Sequence, residues 1–170
     1  MSDFGRLLEE QIPRLRRYAR ALTRNHSCDA DDLVQTTLAR AIAKQHLFQP
    51  DTDLRAWLFT LLHNQHVNDI RKAVKWGNPV DVDDLAGGLV APADTSARRQ
   101  LGELDEAIGK LPVEQRQVIL LVGLEGMSYD EVAAILMVPV GTVRSRLSRG
   151  RNALRRLMGI EGEQPEAVAA

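Results

Sequence analysis

The sequence predicts an all-α chain of two small helical domains, and three observations carry that expectation. Apolar residues recur at spacings of 3 and 4 along most of the 170 residues, with no convincing strand alternation. Ser128 and Glu131 form an S-x-x-E capping box ahead of a short apolar stretch. Hydrophobic residues make up 44 % of the chain and aromatic residues only 4 %, so the expected core is aliphatic and of a size suited to small bundles.

The elements follow in order. Leu8, Ile12, Leu15, Ala19 and Leu22 mark a first helix, which Pro13 is expected to break or restart. A second begins near Asp29, with Leu33, Val34, Thr37, Leu38, Ala41 and Ile42 on one face. Asp29, Asp31 and Asp32 suit the positive end of its dipole. QPDTD reads as a turn, and Asp53 as the N-cap of a long third helix through about Trp76. Leu54, Trp57, Leu58, Leu61 and Leu62 form its stripe, which falters at HNQH (63–66) and resumes out of phase at Val67, Ile70 and Val74. Residues 77–97 hold two prolines, three glycines and four aspartates with no Lys or Arg, the composition of a flexible acidic linker. Helicity returns at Leu101, Leu104, Ile108 and Leu111. Pro112 then opens a helix containing Val118, Ile119 and Val122. Residues 161–170 read as a disordered tail. The expected domains are therefore 1–76 and 98–160.

The final helices carry the clearest chemical signal. Met127 and Val132 flank the capping box as a hydrophobic staple, and the helix it opens ends near Leu136. After the turn Met137-Val138-Pro139, a longer helix is expected to bury Val143, Leu147, Gly150, Leu154 and Leu157. That places Ser145, Ser148, Arg149 and Asn152 on the opposite side, with Arg144, Arg151 and Arg155 on one flank and Arg146 on the other. A short helix, a tight turn and a basic helix is the helix-turn-helix plan, whose second helix enters the major groove. Arg144 and Arg149 suit guanine O6 and N7, the serines permit close approach, and the amides of Val140, Gly141 and Thr142 suit a phosphate.

Net charge at first opposes this reading, because 22 basic and 23 acidic residues leave −1. The distribution reverses the inference. Residues 140–156 hold six arginines and no acid, whereas 77–110 hold three basic and seven acidic residues, and 157–170 hold three glutamates and no base. Neutrality is an average over a polarised chain, and arginines without acidic neighbours are more than a solvated helix surface.

These segments together resemble the extracytoplasmic-function (ECF, group IV) sigma factors of the sigma-70 family. VPVGTVRSRLSRGRNAL is similar to their region 4.2, and LPVEQRQVILLVGLEGMSYDEVAAIL to the preceding part of region 4. DADDLVQTTLARAIA resembles region 2.2, and LRAWLFTLLHNQHVNDIRK regions 2.3 and 2.4. The likeness covers about 8–158 in the family's order. It implies a dissociable subunit that brings core RNA polymerase to promoters and is controlled by an anti-sigma factor.

Residue by residue, the resemblance assigns core polymerase binding to Asp31, Asp32, Gln35, Thr36 and Arg40. It assigns the single-stranded minus-ten element to Phe48, Gln49, Asn64, Asn68, Arg71, Lys72 and Lys75. The duplex minus-thirty-five element falls to Thr142, Arg144, Ser145, Arg146, Ser148, Arg149 and Arg151. Two positions depart from the family. Met137 stands where glycine is usual in the turn, which implies a left-handed non-glycine residue or a rearranged turn. Ser148 replaces a bulkier residue of some members, so base preference does not carry over. The chain ends soon after region 4, and no further C-terminal regulatory domain is expected.

Other signals point elsewhere only weakly. Trp57 belongs to the apolar stripe, while Trp76 beside Lys75 is open between packing and stacking. His63-x-x-His66 has helical spacing for a metal, but Cys28 is remote and no ligand cluster accompanies the pair, so neither metal nor cofactor is expected. A single cysteine excludes an intramolecular disulfide and suits a reducing compartment. No P-loop, nucleophile elbow or paired-carboxylate motif is present, so enzyme activity of its own is not expected. No apolar run has the length of a signal peptide or a bilayer span, which points to the cytoplasm without membrane insertion. Two other functions remain open: a stand-alone helix-turn-helix regulator, and a decoy that binds an anti-sigma factor without initiating transcription.

Overall fold

The computed structural model describes residues 3–24, 27–77 and 96–160, and all regular structure among them is helical. Helix α1 (Asp3–Leu22) runs unbroken through Pro13, contrary to the expected break. Proline removes one amide from the ladder, but Pro13 lies on the exposed side. Leu8 on one side of it and Leu15, Tyr18, Ala19 and Leu22 on the other are all buried. Packing of that shared face outweighs the lost hydrogen bond.

Helix α2 (Ser27–Ala43) buries Ala30, Leu33, Val34, Thr37 and Ala41. Thr37 is tolerated there because its hydroxyl donates to the Leu33 carbonyl at 2.7 Å. Ile42 departs from the expected face: it lies at the stripe's edge in the last turn and is 56 % exposed. A 3-10 turn (Gln45–Leu47) leads to α3 (Leu54–Lys75), where Asp53 accepts the Arg55 amide at 2.9 Å as N-cap. Leu58, Phe59 and Leu62 of α3 pack fully inside, with Leu54, Trp57 and Leu61 half-buried around them. Within the polar stretch 63–66 Asn64 is exposed, but the packed side does not break there. Gln65 is buried and donates to Asp69 at 2.7 Å, so the stripe continues with polar groups.

Of the expected acidic linker, residues 78–95 lie outside the described residues, as does the tail 161–170. Helix α4 (Ser96–Gly109) buries Ala107 but leaves Leu101 largely exposed. Pro112, expected as the first residue of the next helix, is instead the N-cap of α5 (Val113–Ile119). That helix then widens into a π-helical turn (Leu120–Leu124), closed by the Glu125 amide on the Leu120 carbonyl at 3.1 Å. The helical spacing through Val122 gave no sign of this change of winding. Arg116 of α5 is buried because its guanidinium donates to the carbonyls of Ile108, Gly109, Leu111 and Leu22, at 3.1, 2.7, 2.8 and 3.2 Å.

Helix α6 (Tyr129–Leu136) starts at the expected capping box: the Ser128 hydroxyl accepts the Glu131 amide, and the Glu131 carboxylate accepts the Ser128 amide. Met127 and Val132 are buried beside it. Met137 ends the helix with φ 55° and ψ 45°, the left-handed conformation, and the Met137 and Val138 amides both donate to Ala133. Helix α7 (Val140–Leu157) buries Val143, Leu147 and Gly150. Gly150 is required by close approach, since a β-carbon there would meet Ile119 Cγ1 at 2.9 Å. Leu154 is only half-buried and Leu157 is exposed, so the expected stripe frays at its end.

α1, α2 and α3 pack together, as do α5, α6 and α7. The two sets also touch: α1 meets α4, α5 and the π turn, and α3 lies on α6. Their buried side chains merge into one hydrophobic cluster from Leu8 to Leu147.

Candidate nucleic-acid interface

The second helix of the helix-turn-helix owes its orientation to Val143 and Leu147, which are buried against the rest of the motif. The opposite side is therefore presented outward. Arg144, Ser148, Arg149 and Arg151 are exposed, and Thr142, Ser145 and Arg146 are half-buried. The Ser145 hydroxyl donates to the Thr142 carbonyl at 3.0 Å, which fixes it close to the helix surface. Pro139 accepts the amides of Thr142 and Val143, so Val140 and Gly141 offer the leading amides at the positive end of the dipole. Among the described residues no ion pair ties Arg144, Arg146, Arg149 or Arg151 to an acid. Their guanidinium groups are available to phosphates and base edges.

A second polar face lies on α3. Asn64, Asn68, Arg71, Lys72 and Lys75 fall within about 100° of arc and about 16 Å of helix. Asn68 is half-buried and the other four are exposed. Trp57 lies on the same side towards the N-terminus and carries Phe48, their ring centroids 5.4 Å apart. Phe4 of α1 completes the cluster at 5.9 Å from Phe48 and 6.4 Å from Trp57. All three rings are half-buried, so Phe48 rests on an aromatic support, with the exposed Gln49 beside it. Gln49 is anchored through its carbonyl, which accepts both the amide and the hydroxyl of Thr52. Phe59 packs at 5.2 Å on Tyr18 inside the core and has no face for a base. Trp76 is 80 % exposed at the C-terminus of α3, and packing does not account for it.

A third face belongs to α2. Asp32 and Gln35 are exposed, while Asp31, Thr36 and Arg40 are half-buried; Arg40 stands within about 20° of the buried Leu33, at the edge of the packed face. The five span about 180° of arc around α2.

Several charged or titratable groups lie where the two helical sets meet, and of them sequence reasoning weighed only His63 and His66, as a metal pair. Arg17 donates to the Glu125 carboxylate at 2.9 and 3.3 Å, and Arg55 donates to the Glu125 carbonyl at 3.1 Å. Burial, then the Glu125 charge, holds the Tyr18 phenol above its ordinary pKa. His66 is pushed down to about 4 by burial first and then by His63 and Arg116, with Asp69 opposing. Burial alone lowers His63. The available signal was slight: Arg116 is the lone basic residue of 111–139, and Glu125 the lone charge within the run LLVGLEGM.

Comparison with known proteins agrees with the helical architecture. Residues 8–63 match the family described as the Sigma2 domain of PhyR, and residues 101–154 the family described as Sigma-70, region 4. The chain is 40 % identical over 157 residues to the ECF RNA polymerase sigma factor EcfG of Rhodopseudomonas palustris, covering 90 % of this chain and 83 % of that protein. Among solved structures, the sigma factor RpoE in complex with the anti-sigma factor NepR from Bartonella quintana has a TM-score of 0.81 at 34 % identity. That match covers 95 % of this chain and 100 % of RpoE. CnrH in complex with the cytosolic domain of CnrY has a TM-score of 0.65 at 30 % identity, covering 94 % of this chain and 89 % of CnrH.

Proposed function

The chain belongs to the ECF RNA polymerase sigma factors, and we propose that its three outward faces divide the work of transcription initiation among themselves. The α2 face of Asp31, Asp32, Gln35, Thr36 and Arg40 docks on core RNA polymerase. The α3 face takes the separated minus-ten strand: Phe48 and Gln49 receive a base, Asn64 and Asn68 hydrogen-bond, and Arg71, Lys72 and Lys75 hold the backbone. The α7 face reads the minus-thirty-five duplex, with Arg144 and Arg149 directed at base edges and Thr142, Arg146 and Arg151 at phosphates, while Ser145 and Ser148 keep the groove side low.

One observation carries this reading furthest. The outward side of α7 is an arginine-rich surface with no acid between residues 140 and 156, mounted on a helix-turn-helix with an intact capping box. Weak overall charge then limits sequence-blind binding by the free chain and favours action within the polymerase. By likeness to RpoE with NepR and CnrH with CnrY, an anti-sigma factor holds the protein in reserve. Among the described residues no helix is long and apolar enough to cross a membrane.

The test is run-off transcription with purified core polymerase on candidate promoters, with any inhibitor removed. Promoter-specific transcripts are expected, and absence of both core binding and initiation would overturn the proposal. Asp32→Lys in the full chain should weaken core binding while leaving binding to a minus-thirty-five duplex unchanged. A decoy for an anti-sigma factor is a second reading, favoured by the match of residues 8–63 to the Sigma2 domain of PhyR. A decoy would bind such a partner yet give no transcript.

A further inference from the structure

Trp76 is an indole for which the packing of the fold has no use. A tryptophan ordinarily buries ~150–250 Å² and dominates cores and interfaces, yet Trp76 is 80 % exposed. Among the large apolar side chains of the described residues only Met137 is as open, at 81 %, and its exposure follows from the left-handed turn it occupies. Trp57 behaves in the usual way and packs on Phe4 and Phe48. No ring packs on Trp76 among the described residues.

The backbone beneath the indole is held. Trp76 is the C-cap of α3 at φ −89° and ψ 9°, and its amide donates to the Lys72 carbonyl at 3.1 Å. Gly77 then leaves the helix at φ 70°, its amide on the Val74 carbonyl at 3.2 Å, and a β-carbon on it would meet nothing within 4 Å. The ring therefore stands on a defined helix end with open space about it. With two side-chain torsions, it offers a large flat contact at low entropic cost.

The surroundings select the partner. Lys72 and Lys75 lie in the last turn of α3, with Arg71 beside them, and all three are exposed. Among the described residues no ion pair ties any of the three to an acid. Trp76 lies about 40° beyond Lys72 around the axis, at the edge of the face that carries Asn64, Asn68 and these cations. Val74, the other exposed apolar side chain of this turn, lies about 160° away from Trp76, so the two form no apolar patch for a protein surface. A π face beside cations fits a nucleotide, with the phosphate on the cations and the base on the ring. Spacing along the helix agrees. From Trp57, which carries Phe48, to Trp76 is about 28 Å, room for about eight stacked bases at ~3.4 Å each. The polar row is thus closed by an aromatic group at either end.

We infer that Trp76 is a base-stacking residue of the α3 face, holding the end of the separated strand that lies away from the base received at Phe48. The inference deepens the proposed division of labour and rests on it. The test compares holoenzymes carrying wild type, Trp76→Phe and Trp76→Leu on single strands taken from a promoter at which the wild type initiates. Helicity by circular dichroism and affinity for core polymerase should be equal in all three, because the side chain is exposed; should Trp76→Leu lose helicity, Trp76→Gln takes its place. Trp76→Leu should bind the strand at least about fivefold more weakly, while Trp76→Phe keeps most of the affinity. The slope of log affinity against log salt should be unchanged in Trp76→Leu, whereas Lys75→Ala should reduce it by about 0.7. 2-Aminopurine placed at successive positions of the strand should be quenched at one position several bases from the one seated at Phe48, and should brighten there in Trp76→Leu. Equal strand affinity of folded Trp76→Leu and wild type, or the same quenched positions in both, would overturn the inference. So would a fall in core affinity, which would assign the indole to the polymerase surface. Failure of wild-type holoenzyme to initiate on any promoter would instead count against the sigma-factor reading.

Discussion

Replacing Met137 by glycine should stabilise the protein. Met137 has φ 55° and ψ 45° and is 81 % exposed, so its side chain contributes strain at the turn and almost no packing. An L-residue in this conformation costs roughly 1–2 kcal/mol. Glycine removes that strain but brings additional freedom to the unfolded chain, which returns about 0.5–1 kcal/mol. The net gain is about 0.5–1 kcal/mol. With an unfolding entropy of about 2.1 cal/mol/K per residue, the chain should melt roughly 2 °C higher. Urea unfolding should show a higher midpoint at unchanged slope, and calorimetry the higher Tm. Met137→Val should move both the other way, because a β-branched residue tolerates the left-handed region least. A glycine variant that melts lower would refute the reasoning, since it would mean that Met137 supplies packing or that the turn is not left-handed.

Arg149→Ala should weaken minus-thirty-five binding by about 1–3 kcal/mol and relax preference at one base pair; a loss equal on all sequences would make Arg149 a phosphate contact. Arg116→Met should cost about 3 kcal/mol in denaturant unfolding, because four carbonyls lose a forked donor, and a loss below about 1 kcal/mol would contradict the buried geometry. Arg116→Lys should not restore it, since one ammonium cannot serve all four. Acid should destabilise the fold through His66. Its folded pKa of about 4 lies below an unfolded value of about 6.5, so its contribution is full above pH 6.5 and is lost as pH falls towards 4. By pH 5 the loss is about 2 kcal/mol. Melts of wild type and His66→Gln at pH 7 and pH 5 should differ in pH dependence; equal slopes would rule out His66 as the source.

Local features were legible because their causes lie within a few residues. The capping box needs only Ser128 and Glu131, the α3 N-cap only Asp53 and the Arg55 amide, and the burial of Val143 and Leu147 only their helical spacing. Sequence reasoning went astray where distant packing decides. Pro13 was expected to interrupt a helix that its buried flanks carry through. Ile42 and Leu101 fit the spacing of buried stripes but find no neighbour to cover them among the described residues. The faltering at 63–66 was a change of partner: Gln65 and His66 remain packed, and His66 feels the charge of Arg116 in the other helical set.

The sequence by itself determined an all-α chain, its helix boundaries to within a few residues, its polarised charge and its likeness to ECF sigma factors. Hydrogen-bonding patterns, apolar period and motif order are written along neighbouring residues. Only the tertiary structure decided the π turn, the buried Arg116 and the seating of the first helical set on the second. Arg17 and Glu125 are 108 positions apart. Two opposite charges in a nearly neutral chain have many possible partners, and only packing selects which two meet and leaves Glu125 buried beneath a half-exposed Arg17.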